Sequence, residues 1–223
     1  MEKEISFLGE ALLNPQKPFY AIIGGAKIST KIGVLKSLIG KVNGIFIGGG
    51  MAFTFLKAQG LTIGNSLCED EHLAIAKEII ESCKNQNIRL ILPTDHVVAN
   101  AFSNLAKSQV VSAKEGISSG WRGMDVGPQT ISEVLEMIKD AKTVLWNGPV
   151  GKFEVEEFAA GTKAIAKVLG SLKDATTIAG GGETVQAIHE AGLESAFSHI
   201  STGGGASLEF IEQGTLPGIE ALE

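Results

Sequence analysis

Short apolar runs alternate with amphipathic stretches along nearly the whole chain. Residues 19–23, 44–47, 88–92, 143–146, 176–179 and 197–201 are apolar runs of four or five residues, without the in–out alternation of a half-exposed strand. They predict strands buried on both faces, as parallel strands are. Between them lie stretches of helical period. Residues 27–39 place Ile28, Ile32, Leu35 and Ile39 on one face, and residues 69–84 place Leu73, Ala76, Ile80 and Cys83 on another. Further helices are predicted over 2–13 (Ile5, Leu8 and Leu12 on one face, stopped by Asn14-Pro15), 51–59, 131–138, 156–172, 184–191 and 206–213. Residues 94–128 break the rhythm. They carry no helical period, scattered glycines and β-like pieces such as 109–112, and predict a small β excursion outside the main sheet. Strand–helix alternation of this kind predicts one α/β domain, a doubly wound parallel sheet between two helical layers.

Five of the strand ends run into glycine: Gly24-Gly25-Ala26-Lys27, Gly48-Gly49-Gly50-Met51, Asn147-Gly148-Pro149-Val150-Gly151, Gly180-Gly181-Gly182-Glu183 and Ser201-Thr202-Gly203-Gly204-Gly205. In a parallel sheet all five fall on the carboxyl edge, where such folds bind ligands. Glycine allows a ligand to approach the backbone N–H groups, and the helix start behind it carries partial positive charge. Lys27 and Lys31, four apart on the predicted first helix, would stand together beside the first loop. The whole edge is suited to phosphates. Two readings are open at Glu183, which follows three glycines: a ligand to Mg²⁺ over phosphates, or an acid favoured at a helix start. Glu154 is either an acceptor for ribose hydroxyls or a solvated charge.

Composition narrows the classes. The chain has 223 residues, 44% hydrophobic and 20% charged, with a net charge of −6 and 6% aromatic residues. No dense basic cluster and few aromatics argue against nucleic-acid binding. No apolar stretch approaches the ~18 residues of a membrane helix, and Met1-Glu2-Lys3-Glu4 lacks the start of a signal peptide. The two cysteines, Cys68 and Cys83, form no CxxC pair; Cys83 sits on an apolar stripe and reads as a core thiol, and the whole reads as cytoplasmic. Familiar fingerprints fail. Phe53 and Val185 stand where a dinucleotide GxGxxG needs its third glycine; Phe153 follows Gly151-Lys152 where a Walker A loop needs Ser or Thr; HExxH and Gly-x-Ser-x-Gly are absent.

The segments that remain match one family in order. Gly24-Gly25-Ala26-Lys27-Ile28-Ser29-Thr30-Lys31, Gly48-Gly49-Gly50-Met51-Ala52, residues 121–128, Trp146-Asn147-Gly148-Pro149-Val150-Gly151, Gly180-Gly181-Gly182-Glu183-Thr184, residues 201–207 and Leu216-Pro217-Gly218 span nearly the whole chain. Together they resemble the C-terminal, nucleotide-binding half of the phosphoglycerate kinases. That resemblance implies a Rossmann-like, three-layer α/β/α domain with six parallel strands in the order 3-2-1-4-5-6. It divides the chain into 1–14 as part of an interdomain helix, 15–215 as the nucleotide-binding domain, and 216–223 as a segment facing an N-terminal half.

The resemblance also implies roles. Lys31 contacts the α-phosphate of ATP or ADP, and Lys27 sits by the phosphoryl group in transfer. Gly48, Gly49, Gly123, Met124, Pro149 and Val150 form the adenine pocket, with Asn147, Gly181 and Gly182 also at the nucleotide. Glu154 binds ribose, Glu183 and Thr184 lie at Mg²⁺ and the phosphates, and the Gly203, Gly204 and Gly205 amides face the phosphoryl group. The implied reaction is reversible phosphoryl transfer between 1,3-bisphosphoglycerate and ADP in glycolysis, by a monomeric parent enzyme.

Two residues depart from the family pattern: Glu183 stands where aspartate is usual, and Lys152 where a small or aliphatic residue is usual, either paired with Glu154 or turned outward. The chain has only two arginines, Arg89 and Arg122, neither in a glycine loop, so the family's arginine-rich site for 3-phosphoglycerate belongs to a missing N-terminal half. Met1-Glu2-Lys3-Glu4 also resembles the interior of the family's interdomain helix, so Met1 reads as an internal methionine. The expectation is a nucleotide-binding half without appreciable turnover alone, exposing apolar side chains such as Leu8 or Leu12 where its partner half docks, or borrowing a neighbour to cover them. The alternative is a stand-alone, non-catalytic nucleotide-binding module; a dinucleotide oxidoreductase is remote.

Overall fold

The structure, a computed structural model, describes residues 11–12, 14–102, 106–201 and 212. Its centre is a six-stranded sheet built from β1 (Phe19–Ile23), β2 (Gly44–Ile47), β3 (Arg89–Ile91), β7 (Thr143–Asn147), β8 (Thr176–Gly180) and β9 (His199–Ser201). The order is β3-β2-β1-β7-β8-β9 and every pairing is parallel. Counting only the strands of this sheet, that is 3-2-1-4-5-6, as the resemblance implies. The four inner strands are almost wholly buried, but β3 and β9 are partly exposed, each having a neighbour on one side only among the described residues.

Alternate residues of each strand feed two cores. Ala21, Ile23, Ile45 and Ile47 face α1 (Ile32–Leu38), α2 (Ala52–Ala58) and α3 (Leu73–Asn85), which contribute Leu35, Phe55, Ile79 and Cys83. Ile22, Phe46, Val144 and Trp146 face α4 (Pro128–Ile138), α5 (Ala160–Ser171) and α6 (Gly182–Glu190), which contribute Met137, Ile165, Leu169 and Ile188. Three layers result. Cys83 is the buried core thiol its position predicts. Leu12 is also buried, 4% exposed against the first core, and so offers no docking surface; Leu8 lies outside the described residues.

The excursion predicted over 94–128 is a three-stranded antiparallel sheet, β5 (Ser108–Ser112), β4 (Asp95–Ala99) and β6 (Arg122–Val126), in the order β5-β4-β6. Two buried aspartates fasten it to the main layers. Asp95 accepts from the N–H groups of Gln129 and Thr130, at 3.0 and 2.8 Å, and so caps the start of α4 from a neighbouring strand. Asp125 accepts from the N–H of Gly161 at 2.8 Å, at the start of α5, and from its neighbour Val126. Carboxylates at helix N-termini satisfy amides that have no intrahelical partner and favour the helix dipole.

One element differs from its predicted form. Residues 27–39 are not a continuous helix. Lys27 is extended, Ile28–Thr30 make a single 3₁₀ turn, and the α-helix starts only after Lys31. Lys27 and Lys31 are therefore not stacked on one helical face. Both geometries bury Ile28 and Leu35, so the apolar spacing does not distinguish them.

Candidate functional site

The glycine loops interlock on the carboxyl edge. Gly24 donates its N–H to Asn147 at 2.8 Å, Gly25 to Pro149 at 3.0 Å, Gly48 to Ile23 at 2.9 Å and Gly49 to Val150 at 3.2 Å, all at carbonyl oxygens. These amides hold the protein's own backbone, so they are not the free phosphate cradle expected of them. The glycines serve close packing instead. A Cβ on Gly24 would overlap the Pro149 carbonyl oxygen; one on Gly49, whose φ is +70°, would lie 2.5 Å from the Gly25 oxygen. At the start of α6 the first amides have no intrahelical acceptor: Gly181 takes φ +92° and the first helical bond runs from Val185 to Gly181.

Two adjoining cavities lie over these loops, with Gly25, Ala26 and Glu183 lining both. The first, about 220 Å³, is mostly apolar and has Gly49, Phe53, Gly123, Met124, Pro149 and Val150 in its walls. The excursion supplies one wall: Gly123 lies against Phe53 so closely that a Cβ would overlap its ring. Gly48 does not line this cavity; it packs beneath Val150, whose Cγ1 would be 2.8 Å from an added Cβ. Glu154 lies at the rim in an ion pair with Lys152 at 2.8 Å. Burial raises the Glu154 pKa, but the Lys152 pair and a backbone N–H together outweigh it and the net displacement is downward.

The second cavity, about 350 Å³, is lined by Lys27, Lys31, Asn147, Gly181, Gly182 and Thr184 among others. Lys27 is exposed and lines this cavity. Lys31 is half-buried and donates from Nζ to Asn147 Oδ1. Burial lowers its pKa, and the carboxylates of Glu183 and Glu212 oppose that. Thr184 is fully buried; its Oγ1 accepts from the Gly148 N–H at 2.7 Å and ties α6 to the loop after β7. Glu183 is exposed at the mouth of both cavities. Gly203, Gly204 and Gly205 lie outside the described residues.

Sequence reasoning missed two buried polar groups in the first cavity, Asp125 and His96, at 4% and 2% exposed. A larger cavity of about 690 Å³ lies away from the glycine loops, between Leu56, Ile80 and Ala113.

Fold and site together define an α/β/α protein with a glycine-walled cleft at the carboxyl edge of a parallel sheet, half apolar and half cationic. The family model "Phosphoglycerate kinase" matches residues 1–214, and the chain belongs to that family. It is 49% identical over 222 residues to a phosphoglycerate kinase of Pseudothermotoga lettingae and 53% identical over 225 residues to a cytosolic one of Triticum aestivum. Each match covers all of this chain and 56% of the relative, so the chain spans little more than half their length. The phosphoglycerate kinase of Coxiella burnetii superposes with a TM-score of 0.95 at 43% identity over 99% of this chain and 56% of that one. The enzyme of Pyrococcus horikoshii gives 0.84 at 28% identity, covering 100% of this chain and 56% of that one.

Proposed function

We propose that this chain is the nucleotide-binding half of a phosphoglycerate kinase and holds Mg-ADP or Mg-ATP across the carboxyl edge. One observation carries the reading: an apolar slot walled by glycines opens directly into a cavity flanked by Lys27, Lys31 and the start of α6. An adenine fits the first chemistry and a polyphosphate the second.

In this arrangement the base lies between Gly49 and Gly123, against Met124, Pro149 and Val150. Glu154, drawn to Lys152, accepts from the ribose hydroxyls. Lys31 neutralises the α-phosphate, with Asn147 fixing the direction of its ammonium. Lys27, exposed at the edge, meets the phosphoryl group. Gly203–Gly205 are assigned to that group by resemblance alone. Mg²⁺ needs few protein ligands when phosphates and water supply the rest. Glu183 fits it: one exposed carboxylate, facing both cavities, close enough to Lys31 to oppose the lowering of its pKa by burial. When bound, the ion would supply charge neutralisation at the phosphates.

Transfer breaks the bond between phosphorus and the carboxyl oxygen of 1,3-bisphosphoglycerate and forms one to the terminal oxygen of ADP. The protein contributes positioning and positive charge. The acid half of the reaction is assigned to a separate N-terminal half that docks through residues 1–14 and 216–223. Such an enzyme works in glycolysis, in the cytoplasm, as a monomer. Isothermal calorimetry tests the site. Heat of ADP binding that depends on Lys31 is the expected outcome; folded protein showing no heat with millimolar ADP would refute it.

A further inference from the structure

Two polar side chains in the apolar slot are buried, and they differ in one respect. Asp125 is satisfied by backbone N–H groups. The Nε2 of His96 has no hydrogen-bond partner among the described residues. His96 lies on β4, its ring tilted at 41° against Phe53 with centroids 5.0 Å apart, in the wall that also holds Pro93 and Val126. A buried polar atom without a partner costs stability, and native structures rarely keep one without a use.

From this cavity lining and this unpartnered nitrogen we infer that His96 is a base-reading residue, whose Nε2 hydrogen-bonds the purine edge of the bound nucleotide. The inference rests on the nucleotide reading above and deepens it. Glycine faces and Phe53 give a purine surface to lie against but no polar group to recognise it. The other polar side chains of the lining, Lys152, Glu154 and Glu183, are exposed at the rim. Among the described residues, His96 Nε2 is the buried side-chain atom of this slot left without any hydrogen-bond partner. Burial keeps its ring neutral, with the pKa pushed down to about 4 against the pull of the adjacent Asp95. A neutral imidazole nitrogen either donates or accepts according to its tautomer, so it suits a base edge better than a fixed charge does.

The experiment uses the whole chain and two probes, ADP and inorganic pyrophosphate, the second lacking a base. His96→Phe should weaken ADP about three- to tenfold, the worth of one neutral hydrogen bond, and leave pyrophosphate unchanged. His96→Gln should recover part of the loss. In the wild-type chain, the ¹⁵N resonance of His96 Nε2 should move on adding ADP and stay still on adding pyrophosphate. Equal ADP affinity in His96→Phe, or an Nε2 resonance that ADP leaves in place, would overturn the inference while leaving the nucleotide site standing. Loss of affinity for both probes alike in His96→Phe would also overturn it. A wild-type chain that binds neither probe would remove the nucleotide reading and this inference together.

Discussion

The Lys31 ammonium, at the start of α1, is held by the Oδ1 of Asn147, at the end of β7. The two central strands of the sheet thus aim one cation between them, and its chain conformation is not helical but the break that precedes the helix. Lys31→Met should lower ADP affinity at least tenfold, since charge-assisted hydrogen bonds to phosphate are roughly twice as strong as neutral ones. Lys36→Met, which removes an exposed cation paired with Glu78 one turn further along, should change nothing. Calorimetry on both variants checks this, and equal losses would reduce Lys31 to bulk charge.

Gly123 sets the width of the apolar slot. An alanine there overlaps the Phe53 ring, so Gly123→Ala should cost about 1–3 kcal/mol by overpacking and weaken ADP. Adding Phe53→Leu should restore part of both losses. A double-mutant cycle in urea with no coupling would show that the ring moves aside freely.

Asp125 and His96 carry opposite pH signatures. Burial raises the Asp125 carboxyl from 3.8 to about 7, against the N–H groups of Gly161, Val126 and Ala160, which lower it. Between those values the folded chain holds a proton that the unfolded chain lacks, so this group makes stability fall as pH rises. His96 runs from 6.5 unfolded to about 4 folded. Between them the unfolded chain holds the extra proton, and stability rises with pH. The two slopes offset each other from about pH 4 to 6.5, each at about 1.4 kcal/mol per pH unit at most. Wild type should therefore be nearly flat there. Asp125→Asn should uncover a rise and His96→Phe a fall, read from urea midpoints at four pH values. Parallel profiles in all three proteins would deny the offset.

The longer acid at 183 should be a poor fit for an ion that demands close geometry. Glu183→Asp is expected to keep or improve the Mg²⁺ dependence of ADP binding, and Glu183→Ala to reduce it. Titration of each variant at several Mg²⁺ concentrations decides; identical dependence in all three would leave Glu183 as a helix-start charge.

The purified chain should turn over 3-phosphoglycerate and ATP negligibly, because one reactant has no assigned binding site on it and positioning alone can be worth an effective molarity of roughly 10⁵–10⁸ M. A coupled assay with and without an N-terminal half from a related kinase measures this. Substantial turnover by the chain alone would place the acid's site on this half.

Much of the fold was legible because its signals are local. Apolar runs such as Ala21-Ile22-Ile23 ending at Gly24 mark both a buried strand and its carboxyl end, and loss of period over 94–128 marks the excursion. The site was legible only as motifs. The break at Lys31 was hidden because a 3₁₀ turn followed by a helix buries the same isoleucine and leucine as one helix does. The use of the Gly24 and Gly49 amides was hidden because their acceptors belong to a loop about a hundred residues away. Asp125 and His96 were missed because a single polar residue inside a short strand carries no period, and only packing shows that it is buried.

The excursion and the crossover that follows it have a consequence for assembly. β1 takes β2 as its neighbour on one side after a single crossover through α1, but its other edge waits for β7. A side-chain bond at that seam, from Thr143 Oγ1 to the Gln16 carbonyl, spans 127 residues. Closing so long a loop is slow, and contacts of this separation set the pace of folding. During synthesis, then, the middle strand of the finished sheet is for a long interval an edge strand, apolar and unpaired along one whole side. The most protected part of the native molecule is the most adhesive part of the nascent one.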